Sequence, residues 1–171
     1  VISSNWLYSN KAIKPFNEFE ERTITLAKRF NINYEAIRLA MSGYEKLKQL
    51  GKITNQRYLS IADFSKPSSE ERLFIIDLQL MDVVLKTFVA HGRNSGTKYA
   101  EKFSNKISSY QSSLGFYVTG NSYKGKHGNS LVLDGVEKGI NDHAMQRAIV
   151  IHGADYVNPI LLQQQGYIGR S

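Results

Sequence analysis

Four histidines, His91, His127, His143 and His152, are the side chains here best suited to exchange protons near neutral pH. Three are followed directly by glycine, as His91-Gly92, His127-Gly128 and His152-Gly153. A lone histidine is more often a satisfied structural residue than a catalyst, and His143, inside Asn141-Asp142-His143, fits that description. His152 differs, because it closes the apolar run Ala148-Ile149-Val150-Ile151 and precedes Gly153-Ala154-Asp155-Tyr156. A strand end at a loop mouth is where a rigid scaffold presents a side chain to substrate, and an imidazole there suits general acid–base work. The sequence contains no cysteine. Within these residues that excludes a disulfide framework, a thiolate zinc site and a thiol nucleophile.

Three other chemistries compete for the same residues. A zinc hydrolase would use the histidines with Asp142 or Asp155 as a carboxylate ligand, but no His-Glu-x-x-His or comparably tight pair is present. A phosphate site is suggested by Gly120-Asn121-Ser122-Tyr123-Lys124-Gly125-Lys126, which fits the first seven positions of a P-loop. His127 then stands where a hydroxyl would hold magnesium. The following Gly128-Asn129-Ser130-Leu131-Val132-Leu133 reads as turn and strand, whereas a P-loop feeds a helix, so the nucleotide site is rejected. Nucleic-acid binding would draw on Tyr110, Phe116, Tyr117 and Tyr123 near Lys124 and Lys126. Aromatics at such positions are more often strand core, and no nucleic-acid partner is expected.

The formal charge of +7 and pI of about 9.5 favour anionic partners: nucleic acid, anionic lipid or an anionic cell wall. The charge is spread out, with 9 basic and 5 acidic residues over 1–52 and 13 and 10 over 53–171. No apolar run approaches the ~20 residues that cross a bilayer, so no membrane span is expected.

The elements that must position His152 follow from periodicity. Residues 1–90 hold only Gly43 and Gly51, and the other glycines lie from Gly92 to Gly169, so a helical front end precedes a turn-rich, β-rich body. Phe16, Phe19, Thr23, Ala27 and Phe30 recur at helical steps, with Asn17 as the cap and Glu18, Glu20 and Glu21 near the positive end. A second helix is predicted from Asn33 to about Leu50, with Ile37, Ala40, Met41, Tyr44, Leu47 and Leu50 as its buried stripe and Gly51 as a left-handed stop. Strands are predicted over Tyr58–Phe64, through Ile76, Leu78 and Leu80, over Val83–Ala90 after a turn at Met81-Asp82, and over Gly115–Thr119, Ser130–Leu133 and Arg147–His152. The last reads as buried on both faces.

One set of stretches is more specific than any single motif. It comprises Val89-Ala90-His91-Gly92, Phe103-Ser104-Asn105, Ser112-Ser113-Leu114-Gly115-Phe116-Tyr117, Gly125-Lys126-His127-Gly128-Asn129-Ser130-Leu131, the run from Arg147 to Val157, and Gly169-Arg170-Ser171. In this order, from Leu73 onward, the sequence resembles the murein L,D-transpeptidase catalytic domain family, in its YkuD-like branch. Together these readings give an α+β protein: periodicity predicts a small N-terminal helical module over residues 1–55, and the resemblance implies a mostly β L,D-transpeptidase-like catalytic domain over 56–171. It also implies a cysteine acyltransferase acting on peptidoglycan stem peptides. Such an enzyme cleaves the amide before the terminal D-alanine, holds the acyl group as a thioester and passes it to the amine of a neighbouring stem. A cysteine needs a nearby imidazole to raise its thiolate fraction, and backbone N–H groups stabilise the oxyanion.

Carried over residue by residue, the resemblance makes His152 the general base and places Lys126 and His127 in the acyl-donor pocket. A turn held by a histidine hydrogen bond is an equal alternative for His127, and His91 reads as structural. Gly153 would allow substrate or the cysteine loop to approach closely. Arg170 and Ser171 belong to the loop leading to the nucleophile, and Arg170 suits a stem-peptide carboxylate. In this branch Gly-Arg-Ser is followed by one residue and then Gly-Cys-Pro, so the nucleophile is expected just past Ser171. The residues printed here are therefore expected to be inactive by themselves. No cofactor and no metal are implied. The expected location is the cell envelope, periplasmic or extracellular, with any export signal already removed. The alternatives are a non-catalytic cell-wall-binding module and a zinc-dependent peptidase.

Overall fold

The computed structural model describes residues 18–170. Phe16, Asn17 and Ser171, each given a role above, lie outside the described residues. The described chain divides into two compact units, one of residues 18–63 and 72–87, the other of 64–71 and 88–170. The architecture is α+β, with two helices at the N-terminal side and two three-stranded antiparallel sheets.

In the first unit, helix α1 (Glu18–Phe30) and helix α2 (Tyr34–Gln49) pack on the sheet β1 (Tyr58–Ala62), β2 (Leu73–Asp77), β3 (Asp82–Thr87). Helix α1 buries Thr23, Leu26 and Ala27, and leaves Phe19 41% exposed. It stops at Asn31, whose φ of 55° lets the Ile32 N–H donate to the Ala27 carbonyl at 2.9 Å. Asn33 caps α2, its side chain accepting from the Ala36 N–H at 3.2 Å. Gly51 ends that helix as expected, at φ 67°, with the Lys52 N–H donating to the Leu47 carbonyl at 2.9 Å. Leu50 does not join the buried stripe; past the end of α2 it points away and is 51% exposed. Leu26, Ile32, Ile37, Met41, Phe74 and Ile76 form the centre of one apolar core shared by both helices and the sheet.

The turn into β3 comes earlier than its sequence suggests. Leu78 and Leu80 do not continue the strand, because Asp77 ends it. The Asp77 carboxylate accepts from the Gln79 and Leu80 N–H groups at 2.9 and 3.2 Å and from Arg57 Nε at 2.8 Å. Burial works against the charge of Asp77. The hydrogen bond from Arg57, the two N–H donors and the Arg57 charge outweigh it, so the carboxyl titrates below its usual range. A carboxylate depressed in this way contributes stability that is complete above its unfolded value of about 3.9 and is lost as pH falls through its lower folded value. The thermal midpoint is therefore expected to fall as pH drops below about 4, and Asp77→Asn should flatten that acid limb. Equal acid sensitivity in the two proteins would show that Asp77 is not its cause.

The second unit has a sheet of β4 (Tyr117–Gly125), β5 (Gly128–Gly135) and β6 (Val150–His152), followed by helix α3 (Pro159–Gln165). Its buried residues are largely polar, including His91, Ser95, Ser113, Ser130, Glu137 and Asn141. The long stretch 88–116 contains no helix or strand and is held by side-chain-to-backbone bonds. The Ser95 hydroxyl accepts from the Ser112 N–H at 2.8 Å, and the Ser112 hydroxyl from the Gly92 N–H at 3.0 Å. Such bonds satisfy backbone groups that have no strand partner.

Two expectations here are corrected. The strand begun near Gly115 runs on to Gly125, absorbing Gly120-Asn121 in an irregularity of register between Thr119 and Ser122. The last strand is shorter than Arg147–His152, and it is not buried on both faces. Ala148 sits at φ 52°, which breaks the extended backbone; among the described residues β6 pairs only with β5, and Ile151 is 38% exposed. Helix α3 is not among the elements predicted above, although its start and stop signals are local. It starts with Asn158 accepting from the Leu161 N–H at 2.9 Å and Pro159 in its first turn, and ends at Gly166 with φ 75°. Beyond it the chain is better anchored than its polarity implies: Ile168 is fully buried, and the Gly169 N–H donates to the Tyr156 carbonyl at 2.7 Å.

Candidate active site

Three strands bring the candidate residues together. Strands β4 and β5 form a hairpin whose last pair is Gly125 and Gly128, leaving Lys126 and His127 as a two-residue turn. Gly128, just past the turn, takes φ 85°, the left-handed conformation that favours glycine. The P-loop-like segment is thus strand and hairpin tip. Three residues along, Ser130 lies opposite His152 of β6, with Leu131 opposite Ile151 and Val132 opposite Val150.

That register places the tip over the end of β6. The rings of His127 and His152 stack with centroids 4.9 Å apart and planes at 21°. His127 is exposed and His152 half-buried. His152 Nδ1 lies 2.7 Å from the Gly153 carbonyl oxygen. A carbonyl can only accept, so the bond requires the proton on Nδ1 and leaves the Nε2 lone pair available. An imidazole in that tautomer can take a proton at Nε2 from a nucleophile and return it to a leaving group. Gly153 stands in the open, with no atom within 4 Å of where a Cβ would be.

Ser130 is the residue that sequence reasoning missed. It is buried, its hydroxyl donates to the Gly128 carbonyl at 3.3 Å, and its backbone faces His152. Only its place in the alternation of a strand could have marked it. Arg147, at the head of the expected last strand, instead reaches into the loop before β4. It donates to the Ser104 carbonyl at 2.6 Å and the Ser109 hydroxyl at 3.2 Å, and also to the Ser113 hydroxyl and the Gln111 carbonyl.

The remaining candidates lie elsewhere. Arg170 Nη1 donates to the carbonyls of Arg93 and Gly96, each at 3.3 Å, and no hydrogen bond or ion pair among the described residues links it to the histidine pair. His91 is buried, with Nε2 3.3 Å from the same Gly96 carbonyl and its ring edge-on to Phe64. His143 Nδ1 lies 3.1 Å from the Asn105 carbonyl. The Asp142 carboxylate accepts from Asn105 Nδ2 at 2.7 Å and the Gly139 N–H at 2.9 Å, which hold its pKa below the usual range. Among the described residues no three metal-ligating side chains converge. Among them, too, no helix is long and apolar enough to cross a membrane.

Comparison with known proteins gives one family. The family model described as the L,D-transpeptidase catalytic domain matches residues 28–171, most of the chain. No curated protein and no solved structure matches. The match spans the histidine pair, the strands that hold it and the Gly-Arg-Ser sequence, and the chain belongs to the L,D-transpeptidase catalytic domain family.

Proposed function

We propose that this chain is the acyl-transfer domain of a peptidoglycan L,D-transpeptidase, with His152 as its general base and a cysteine of a following Gly-Cys-Pro as its nucleophile. The observation that carries the reading is the His152 imidazole, held by the Gly153 carbonyl with Nε2 available at the mouth of the β4–β6 sheet. Nε2 accepts the thiol proton, and the thiolate attacks the carbonyl that precedes the terminal D-alanine. The C–S bond forms, the C–N bond breaks, and the imidazolium returns its proton to the departing amine. An amine of a second stem peptide then attacks the thioester and releases the thiol.

Lys126 on the exposed hairpin tip suits the acyl-donor side of such a site, and open Gly153 leaves room for the cysteine loop. Arg170 and Ser171 lead into that loop. The substrate places the domain in the cell envelope, outside the cytoplasmic membrane.

A carbapenem, a β-lactam class that acylates the cysteine of this family, tests the assignment by mass spectrometry. Residues 1–171 hold no thiol and should gain no adduct. A chain continued through Gly-Cys-Pro should gain one carbapenem mass, lost on changing the cysteine to serine. A stable adduct on residues 1–171 would mean that the nucleophile is misassigned. No adduct on the continued chain would favour a wall-binding module without chemistry.

A further inference from the structure

Resting on the reading of His152 as the base, we propose that His127 is a positioning residue whose ring braces the His152 imidazole. The hydrogen bond to the Gly153 carbonyl defines one point on the His152 ring, at Nδ1. One hydrogen bond still lets the ring tilt about that point. The face of His127, 4.9 Å away and inclined by 21°, removes that freedom and sets the plane in which the Nε2 lone pair points.

The brace has a stiff mounting. Lys126-His127 is the shortest hairpin connection the β4–β5 register allows, so His127 has little backbone freedom relative to β5. Strand β5 is in turn paired with β6 through Ser130 and His152. Buried Ser130 bonds back to the Gly128 carbonyl at 3.3 Å and so ties the base of the turn. Gly125 fills the other side. A Cβ there would come 3.0 Å from the Tyr123 ring and 3.1 Å from the Ser130 hydroxyl, so a larger residue would press those two side chains aside by a few tenths of an ångström. The hairpin therefore carries an aromatic face to a fixed place over the catalytic end of β6. Its task is to hold the base, and this is distinct from hydrogen bonding to substrate.

Two variants separate the roles. His127→Phe keeps a flat face and loses both ring nitrogens; His127→Gln keeps polar atoms and loses the face. In the chain continued through the cysteine, His127→Gln and His127→Ala should slow saturated carbapenem acylation about tenfold or more, as loss of a productive geometry does. The concentration for half-saturation should move little, and His127→Phe should recover most of the loss. A second readout needs no thiol. In residues 1–171, ring ¹H–¹⁵N spectra of His152 should show a single Nδ1–H tautomer in the parent and in His127→Phe, and averaging of the two tautomers in His127→Ala. Recovery by glutamine but not phenylalanine, or an unchanged His152 tautomer in His127→Ala, would overturn the brace. Failure of the parent to acylate at all would overturn the proposed reaction and leave the spectra to decide the brace.

Discussion

Changing His152→Ala in a chain continued through the cysteine is expected to slow carbapenem acylation by about 10²-fold or more, the usual scale of general acid–base catalysis. On the proposed assignment the loss falls on the rate of thioester formation, because no other group would take the thiol proton. The fold should survive. His152 joins β5 through its backbone, opposite Ser130, and its side chain is only half-buried. The thermal midpoint is therefore expected to stay close to that of the parent, which separates lost chemistry from lost structure. His152→Gln, which keeps a hydrogen-bonding side chain but no titratable nitrogen, should be nearly as slow. Acylation at close to the parent rate in either variant would end the assignment of His152 as the base.

Gly135→Ala is expected to cost a large share of the stability of the second unit. A Cβ at this end of β5 would overlap the Asn141 carbonyl, coming 2.5 Å from its carbon and 2.7 Å from the Asn141 side-chain oxygen. Asn141 cannot easily give way. Its side chain accepts from the Glu137 N–H at 2.9 Å and donates to the Phe116 carbonyl at 2.8 Å, while the Glu137 carboxylate accepts from the Phe116 N–H at 2.7 Å. Glu137 and Asn141 are both fully buried. Phe116 leads directly into β4, so this knot sets where the hairpin begins. Forcing it apart combines overpacking, about 1–3 kcal/mol, with buried hydrogen bonds left unmade at about 1–3 kcal/mol each. A loss of about 3 kcal/mol or more should lower the thermal midpoint by roughly 6–12 °C. Gly153→Ala, where an added Cβ meets nothing, serves as the control and should change stability by no more than about 0.5 kcal/mol. Equal midpoints for the two variants would show that the Asn141 knot yields freely.

Local pattern alone determined a good deal of this protein. The Asn33 cap, the Gly51 stop and the α2 positions Ile37, Met41, Tyr44 and Leu47 are set by residues within a few positions of one another and form as their sequence implies, while the predicted face of α1 holds at Thr23 and Ala27 but not at Phe19. The two leading helices follow from their own periodicity, whereas the glycines mark the turn-rich second unit, since β1, β2 and β3 all lie in the glycine-poor part of the chain. The family is also written in the sequence, as dispersed stretches kept in order, and the match over residues 28–171 agrees with it.

Tertiary structure decided the rest. The Ala148–Ile151 run has the composition of a strand buried on both faces, but burial depends on neighbours. With β5 as its one strand neighbour among the described residues, and Ala148 turned to φ 52°, the strand shrinks to Val150–His152. The second unit is held by contacts between residues far apart in sequence, such as Arg147 to Ser104 and Asn141 to Phe116, which no local period encodes. The pairing of His127 with His152 is of the same kind. Each histidine is visible in the sequence and each is followed by glycine, of which Gly128 takes a left-handed φ of 85° while Gly153 does not. Their stacking depends on a two-residue hairpin and on the one register that sets Ser130 against His152, and strand register is fixed by the whole sheet.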